Sequence, residues 1–334
     1  MSSARSLYFV EPRTVRLEPR EVPDPDPGEV LVETTRSLVS AGTELLVYRG
    51  EAPTDLDADA ALDALDGDLD FPLRYGYAAV GEVVRTGPDL ADDWLGRRVF
   101  AFNPHESHFT APAERVAPLP GEVDPETATF LPNVETAVNL ALDATPRVGE
   151  RAVVLGAGIV GLLTTAVLAA YPLDHLAVVD PVADRRAVAE RFGADETLRP
   201  ADPLPFDDRD PGGADLAFEL TGSPDALDDA IDAVGYDGRV VVGSWYGNKR
   251  ADVDLGGRFH RGRVSLVSSQ VSTIDPELRG RWNKDRRLDV AWDRLRATDV
   301  GELITHRVPF READRAYELL DAGPENAIGV VLSY

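Results

Sequence analysis

The sequence predicts an α/β protein that combines a doubly wound parallel sheet with a second, β-rich domain. Three observations support this fold class. Residues 1 to about 120 alternate polar and apolar side chains with frequent Gly and Pro, as antiparallel strands do. From Arg151 onward, short apolar runs alternate with stretches long enough for crossover helices. A glycine-rich turn, "VVLGAGIVGLL", follows the first of these runs and opens a helix.

The length of the chain favours two domains. It has 334 residues, of which 43% are hydrophobic, so it can bury a large core. The changes in pattern predict a β-rich domain over residues 1–123 and a dinucleotide-binding domain over residues 124–297. Residues 298–334 lack the parallel repeat and are expected to return to the first domain.

The charge of the chain excludes some partners. The formal net charge is −25, so phosphate backbones and anionic membranes would repel the protein, and no nucleic-acid or membrane partner is expected. Lys249 and Lys284 are the two lysines, and aspartate is scattered along the whole sequence. This pattern is typical of the cytoplasm of a salt-accumulating archaeon and predicts a halophilic protein. The alternative is an ordinary acidic protein from a GC-rich genome.

The chain has no cysteine, which excludes disulfides, thiolate nucleophiles and zinc sites built from cysteine. The N-terminal segment reaches a proline and charges before any hydrophobic stretch long enough for a signal peptide. No later apolar run is long enough to span a bilayer. The sequence therefore predicts a cytoplasmic protein that acts on a small molecule.

Two segments of the β-rich domain stand out. The acidic insert at residues 51–70 carries leucines at positions 62, 65 and 69, a spacing that predicts a short amphipathic helix. The stretch "RYGYAAVGEVV" predicts a turn leading into a strand, with Gly76 and Gly81 where the backbone bends or is closely approached. Tyr77 follows the first of these glycines, in a stretch without His or Cys.

Six strands are predicted for the parallel sheet. After it, the tail predicts a helix around residues 282–296, a strand, a second helix and a closing strand "IGVVLSY". The six sheet strands are "RAVVLG", "LAVVD", "ETLR", "LAFELTG", "RVVVGSW" and "VSLVSSQV".

The glycine-rich turn predicts a dinucleotide site. Gly156 suits the tight turn, Gly158 allows a pyrophosphate to approach the backbone, and Gly161 allows close contact between helix and strand. The helix then starts with Ile159 and Val160, whose amides would hold phosphate.

The next strand supports the same site and indicates which cofactor it binds. It ends at Asp180, where a carboxylate would accept the hydroxyls of the adenosine ribose and repel a 2′-phosphate. NAD is therefore the first choice of cofactor, with NADP possible because Arg185 and Arg186 follow closely. Either arginine could lie over the adenine ring or be a surface charge at a helix start.

Several local matches reveal a family resemblance. The segments "VSAGTELLVYRG", "YGYAAVGEVVRTG", "GADLAFELTGSPDAL" and "GRVVVGSWYG", together with the order of the domains, resemble the medium-chain dehydrogenase/reductase superfamily, whose type is the zinc alcohol dehydrogenase. The first two segments are most similar to the branch of the bacteriochlorophyllide hydroxyethyl dehydrogenases. The resemblance implies a GroES-like substrate domain, a Rossmann domain and a homodimer. It also implies further cofactor contacts at Thr136, Thr221, Gly243, Ser244, Ser268 and Ser269.

The resemblance also indicates that the catalytic zinc is missing. Zinc-dependent members carry ligands at the positions of Ser40–Ala41, of Gly76-Tyr77-Ala78 and near Asn133. None of these residues binds zinc in the usual way. We therefore expect no metal.

A reaction without zinc needs another group to stabilise charge on the substrate oxygen. By resemblance, Thr43 is the hydroxyl that relays protons, and Glu44 takes the place of an aspartate. Tyr77 is expected to be the acid/base or orienting donor. The alternative is that Tyr77 only fills the volume left by histidine and zinc.

Two groups of basic residues are candidate substrate contacts. His105, in "NPHESHF", is expected to contact substrate; its His-x-x-His spacing to His108 suggests metal, but no third ligand is in view. Arg258, His260, Arg261 and Arg263 form a basic cluster, and the first three would clamp a phosphate or carboxylate of the substrate. The alternative is that they pair with surface aspartates or cross a dimer interface.

The sequence thus predicts a metal-free NAD(P)-dependent oxidoreductase acting on an alcohol or carbonyl substrate. A reductase of conjugated double bonds, as in the quinone reductases, is one alternative. The other is a non-catalytic dinucleotide-binding protein that kept the glycine fingerprint after losing the zinc chemistry.

Overall fold

The computed structural model describes residues 4–57, 63–65, 67–206, 208, 210–323 and 326–334. The chain forms two compact units, one of Met1–Pro132 with Val300–Tyr334 and the other of Asn133–Asp299. The sequence placed the boundaries after residues 123 and 297, so the units divide somewhat later along the chain. We describe them as unit 1 and unit 2.

Unit 1 is built on a mainly antiparallel sheet. Its first helix, α1 (Ala41–Arg49), ends at Gly50, whose φ of 70° is left-handed and whose amide donates to the carbonyls of Leu46 and Val47. Asp124 caps the short helix α2 (Pro125–Ala128) by accepting from the amides of Glu126 and Thr127. The elements of unit 1 before residue 132 are β1 (Ala4–Glu11), β2 (Thr14–Arg20), β3 (Glu29–Val39), α1 (Ala41–Arg49), β4 (Ala79–Thr86), β5 (Arg98–Ala101), β6 (His108–Pro112), β7 (Val116–Pro118) and α2 (Pro125–Ala128).

Unit 2 follows with alternating strands and helices. The helix α3 (Leu131–Ala144) starts at the boundary and leads into it. Its elements after α3 are β8 (Arg151–Leu155), α4 (Ile159–Leu168), β9 (His175–Val179), α5 (Ala183–Arg191), β10 (Glu196–Leu198), β11 (Ala214–Glu219), α6 (Ala226–Ala233), β12 (Val234–Val242), β13 (Ser265–Ser268) and α7 (Lys284–Ala297). The chain then returns to unit 1 with β14 (Ile304–Pro309), α8 (Ala313–Ala322) and β15 (Gly329–Ser333).

The sheet of unit 1 runs in the order β14-β15-β3-β4-β5-β7, and β6 also pairs with β3. The closing strand β15 pairs antiparallel with β3, with Val330 opposite Val39. Strands β1 and β2 form a separate hairpin. One core of unit 1 contains Val32, Val83 and Phe109, which come from the neighbouring strands β3, β4 and β6. The C-terminal segment Val300–Tyr334 is therefore part of unit 1.

The acidic insert differs from its prediction. In its described part, the chain forms a 3₁₀ turn at Asp63–Leu65 and an isolated bridge between Asp57 and Asp68, where the leucine spacing predicted a short helix. Leu65 and Leu69 are buried, so the spacing of the leucines marked the inward-facing side chains correctly. The third leucine, at position 62, lies outside the described residues.

The six strands of unit 2 form one parallel sheet in the order β10-β9-β8-β11-β12-β13. All six coincide with the predicted strands. β8 is buried along its whole length, which explains its continuous apolar run. From β8 the chain first adds β9 and β10 on one side of the sheet. It then crosses to the other side of β8 and adds β11, β12 and β13, so the strand order reverses between β8 and β11. At such a switch point, the carboxyl ends of the strands leave a crevice for a ligand.

Among the residues that the structure describes, no helix is both long enough and apolar enough to cross a membrane.

Candidate functional sites of the two units

A cluster of three hydroxyl groups lies at the start of α1 in unit 1. Ser40 is the N-cap of this helix, and its hydroxyl is hydrogen-bonded to the Tyr77 hydroxyl. The Tyr77 hydroxyl also lies 3.4 Å from Oγ1 of Thr43. Tyr77 and Thr43 are half-buried, so their hydroxyls are not sealed in the core. The structure thus brings together two of the residues that the sequence singled out, and we call this trio the hydroxyl cluster.

Glu44 supports the hydroxyl cluster from inside the protein. Its side chain is fully buried, and its Oε1 accepts from the Ser40 amide at 2.7 Å. Its Oε2 accepts from the Tyr317 hydroxyl at 2.6 Å. Burial, and then the charge of Glu44, raise the pKa of Tyr317 well above its usual value, so this phenol stays a proton donor. Glu44 was expected among the catalytic residues, but its carboxylate is occupied by structural donors.

His105 is the third partner of Glu44. Its Nε2 lies 3.0 Å from Oε2 of Glu44 and, since a carboxylate only accepts, Nε2 donates. Its Nδ1 lies 2.7 Å from the Ser37 hydroxyl, which in turn lies 2.9 Å from the hydroxyl of Tyr334. In a neutral imidazole Nδ1 accepts from Ser37.

The position of His105 does not match its expected role. The sequence predicted a direct contact with substrate, yet the imidazole is fully buried and both ring nitrogens are occupied within the protein. This arrangement corresponds to a supporting residue behind the hydroxyl cluster. Its companions Ser37, Tyr317 and Tyr334 were not predicted, because they come from distant strands and helices and carry no local motif.

The residues where the resemblance places zinc ligands do not form a zinc site. Ser40 and Tyr77 offer hydroxyls that bond to each other, and the Ala78 side chain has no donor atom. Zinc in proteins is held by thiolate, imidazole and carboxylate groups. In the described part of the chain, no group of three or more His, Asp or Glu side chains is placed to hold a metal. This donor set does not fit zinc.

The glycine turn of unit 2 has the backbone that a dinucleotide requires. Gly156 has φ of +98°, and a Cβ on Gly161 would lie 1.8 Å from the Gly156 carbonyl oxygen. Gly158 is the N-cap of α4, and no atom lies within 4 Å of the place where its Cβ would be. The amides that open α4, at Ile159 and Val160, thus start a helix beside open space. Backbone amides in this setting are suited to bind a pyrophosphate.

Asp180 lies immediately after β9 and connects to the glycine turn. Its Oδ2 accepts from the Ala157 amide at 2.7 Å, and its Oδ1 accepts from the Val182 amide at 2.8 Å. Each carboxylate oxygen can accept a second hydrogen bond, as ribose hydroxyls would require. Arg186 donates to the Asp180 carbonyl at 2.7 Å, whereas Arg185 lies half-buried in the first turn of α5.

The other expected cofactor residues occupy the carboxyl ends of β11 to β13 and one face of α3. The Ser244 hydroxyl accepts from the Gly222 amide at 2.9 Å, and Ser269 donates to Asp143 at 2.6 Å. Burial raises the pKa of the Asp143 carboxyl. A Cβ on Gly243 would lie 2.6 Å from the end of the Leu220 side chain, which would have to shift. Thr136 is half-buried on α3, Ser268 is exposed at the end of β13, and Thr221 begins the turn after β11.

The basic cluster of unit 2 is partly structural. Arg258 donates from Nε and Nη2 to the Val234 carbonyl at 3.0 and 2.8 Å, which ties it to the end of α6. His260 and Arg261 are exposed. Arg263 forms an ion pair with Asp237 at 3.4 Å. Arg263 therefore follows the alternative of pairing with a surface aspartate, and Arg258 is held by a backbone carbonyl.

Known proteins share this architecture. A sequence profile for zinc-binding dehydrogenases matches residues 160–285. L-Threonine 3-dehydrogenase from Thermococcus kodakarensis is 28% identical over 336 residues, which cover 85% of this chain and 92% of that protein. The 2-desacetyl-2-hydroxyethyl bacteriochlorophyllide A dehydrogenase of Cereibacter sphaeroides is 27% identical over 332 residues, covering 94% and 93%.

A solved structure agrees with these matches. A short chain alcohol dehydrogenase from Escherichia coli CFT073, complexed with its cofactor NADH, aligns with a TM-score of 0.79 over the full length of both chains at 19% identity. The predicted fold class is confirmed. The chain is therefore similar to zinc-binding dehydrogenases over residues 160–285 and to named dehydrogenases over most of its length, and the comparisons support the predicted NAD(P)-dependent enzyme.

Proposed function

We propose that the protein is a metal-free, NAD-dependent oxidoreductase that interconverts an alcohol and a carbonyl compound. The observation that carries this proposal is the hydroxyl cluster, in which Ser40 and Tyr77 occupy positions where related enzymes are expected to hold zinc and Thr43 lies beside the Tyr77 hydroxyl. The named relatives, an amino-acid dehydrogenase and a chlorin dehydrogenase, support a small-molecule substrate bearing a hydroxyl group.

The cofactor would be held by unit 2. The glycine turn fits a pyrophosphate, and the carboxylate of Asp180 fits the adenosine ribose, which favours NAD over NADP. When bound, the nicotinamide ring supplies or accepts the hydride. The residues of the chain then have two tasks, to bind this dinucleotide and to handle the proton of the substrate oxygen.

Tyr77 is proposed to handle that proton. Its hydroxyl can donate a hydrogen bond to a carbonyl oxygen and give it a proton as negative charge develops, which leaves a phenolate. In the reverse direction the phenolate takes the proton back from the alcohol. Ser40 and Thr43 fix the direction of the phenol because both lie within hydrogen-bonding distance of its oxygen. Glu44 holds the backbone of Ser40, so the cluster has a rigid base.

The experiment that tests this function is a turnover screen in molar KCl with the oxidised and the reduced forms of NAD and NADP. Polyols, sugars, amino alcohols and quinones serve as candidate substrates. For a substrate that reacts, Tyr77→Phe is expected to lower kcat by about 10²-fold or more. Tyr236→Phe removes an exposed hydroxyl of unit 2 and is the matched control. Unchanged kcat in the Tyr77→Phe variant would overturn the role of Tyr77.

Two further results would overturn other parts of the proposal. Elemental analysis that finds about one tightly bound zinc per chain, lost together with activity, contradicts the metal-free mechanism. Turnover of quinones or enones alone would favour a double-bond reductase. NADH binding without turnover of any substrate would favour the non-catalytic dinucleotide-binding protein.

A further inference from the structure

A buried carboxylate connects two loops at the crevice of unit 2. Glu219 ends β11, and its side chain is fully buried. Its Oε1 accepts from the amide of Thr221 at 2.8 Å and from the hydroxyl of the same residue at 2.5 Å. Its Oε2 accepts from the Tyr246 hydroxyl at 2.5 Å. One carboxylate thus holds both the turn after β11 and the segment after β12.

Burying the Glu219 carboxylate costs free energy unless all its hydrogen bonds are made. A buried carboxylate loses its hydration, and here the described hydrogen bonds that replace it come from an amide and two hydroxyls. Burial, followed by the hydrogen bond to Glu219, raises the pKa of Tyr246, so its hydroxyl keeps its proton and remains a donor. Removing any of these donors would therefore loosen the two loops.

The turn that Glu219 holds, after β11, also contacts the glycine turn of Gly156, Gly158 and Gly161. A Cβ on Gly156 would lie 2.7 Å from the Leu220 carbonyl oxygen and 2.9 Å from the Thr221 amide nitrogen. The amide of Gly222 donates to the Ser244 hydroxyl, which gives the two loops a second link. The first glycine of the fingerprint and the loops after β11 and β12 are therefore packed as one group.

The order of the strands indicates which half of a dinucleotide would lie over this group. Asp180 follows β9, on one side of β8, whereas Glu219 and Tyr246 follow β11 and β12 on the other side. A dinucleotide with its pyrophosphate at the glycine turn and its adenosine ribose at Asp180 must extend its second nucleotide across the switch point. That nucleotide would lie over the ends of β11 and β12.

We propose that Glu219 and Tyr246 are positioning residues for the nicotinamide half of the cofactor. They act by shaping the turn after β11 and the segment after β12, and they do not themselves contact the reacting atoms. This inference rests on the proposed dinucleotide function. It assigns a role to two residues that the fingerprint and the expected cofactor contacts leave out.

The test compares ligands that share the adenosine and pyrophosphate groups but differ in the nicotinamide half. Binding of NADH and of ADP is measured by fluorescence and calorimetry for the wild-type protein and for Tyr246→Phe, Glu219→Gln and Tyr236→Phe. Tyr246→Phe removes only the hydroxyl. Loss of one such hydrogen bond predicts about fivefold weaker binding of NADH, with ADP binding unchanged within about twofold. Glu219→Gln places the NH₂ group of the new side chain opposite a group that donates to Glu219 in the wild-type protein. This variant is therefore expected to weaken NADH binding further.

The thermal midpoint separates positioning from a purely structural role. A structural role would lower the midpoint in Tyr246→Phe and Glu219→Gln while leaving the ratio of NADH to ADP affinity at the wild-type value, and that result overturns the inference. Equal weakening of both ligands overturns it as well. A wild-type protein that binds neither NADH nor ADP overturns the proposed function itself, whereas normal wild-type binding with unaffected variants overturns only the positioning role.

Discussion

Gly76 and His105 share one packing space, since a Cβ on the glycine would lie 2.6 Å from Cδ2 of the imidazole. Gly76 also has φ of +109°, a left-handed value that other residues adopt at a cost. The residue before Tyr77 is therefore glycine for two reasons, the space for the buried histidine and the direction of the chain. This contact sets the backbone that carries the hydroxyl cluster.

Gly76→Ala is expected to destabilise unit 1 strongly. The strained backbone and the overlap with His105 together predict a loss of about 3 kcal/mol in the free energy of unfolding. Chemical denaturation followed by circular dichroism measures this change. Gly42→Ala is the control, because Gly42 lies in α1 with no atom within 4 Å of the added Cβ. Equal midpoints for the two variants would contradict the shared packing space.

Tyr317→Phe is expected to destabilise the protein through Glu44. The variant keeps the ring but removes a donor to a fully buried carboxylate, which predicts a loss of about 1–3 kcal/mol. The same measurement on Tyr236→Phe, where 70% of the residue is exposed, should show almost no change. If both variants unfold at the same denaturant concentration, the bond to Glu44 contributes nothing to stability.

Asp180→Asn is expected to shift the cofactor preference toward NADP. The amide keeps an oxygen acceptor but removes the charge that would repel a 2′-phosphate, so we expect the ratio of kcat/KM for NAD over NADP to fall about tenfold or more. Asp195→Asn is the matched control, because Asp195 accepts from the Leu176 amide at the opposite end of β9. An unchanged ratio in Asp180→Asn would show that another residue selects the cofactor.

The ion pairs of Glu126 predict that the stability of the protein depends on pH. Its hydrogen bond to Arg307, supported by the bond to Arg36, lowers the pKa of its carboxyl below the usual 4.5. The folded state therefore binds fewer protons than the unfolded state between the two pKa values, and the stabilisation is present above pH 4.5 and lost as the pH falls through the folded-state pKa.

The corresponding experiment compares the wild-type protein with Glu126→Gln in urea from pH 7 to pH 3. We expect the difference in unfolding free energy to be constant near neutral pH and to shrink below pH 4.5. Glu114→Gln, at an exposed position, should show no such trend. A difference between wild type and Glu126→Gln that stays constant down to pH 3 would rule out this titration.

The excess of acidic residues predicts that salt stabilises the protein. With 59 acidic and 34 basic side chains, self-repulsion grows on dilution because the Debye length increases from about 3 Å at 1 M to about 30 Å at 0.01 M. Surface ion pairs strengthen at the same time, but each contributes only about 0–1 kcal/mol. Thermal melts in a KCl series should show a midpoint that falls as KCl is removed. A flat or rising midpoint would favour the ordinary acidic protein.

The fold could be predicted from the sequence because its signals are local. Each strand of the parallel sheet is a short apolar run bounded by turn residues, and Gly156, Gly158 and Gly161 mark the first turn by their spacing. The hydroxyl cluster could be predicted in part, since Thr43 and Tyr77 lie in segments with a recognisable resemblance. The insert was harder, because leucine spacing reports which side chains face inward but not which backbone conformation carries them.

The support of the hydroxyl cluster could not be predicted, because its contacts are distant in sequence. Glu44 and Tyr317 are separated by 273 residues, and His105 and Ser37 by 68. Such contacts depend on the register of β3 against its neighbours and on the return of the tail to the first domain. For the same reason His105 was expected to contact substrate, when the sheet places it in the interior.

The pairing of β15 with β3 has a consequence for the order in which a nascent chain can fold. Unit 2 is continuous over Asn133–Asp299, whereas unit 1 needs Val300–Tyr334, which the ribosome makes later. Until that segment emerges, Glu44 lacks its Tyr317 donor and β3 keeps an unpaired edge. Domains generally fold as units during synthesis. We therefore expect unit 2 to fold while the chain is still attached to the ribosome, whereas the residues around Tyr77 reach their final structure only after β15 has been synthesised.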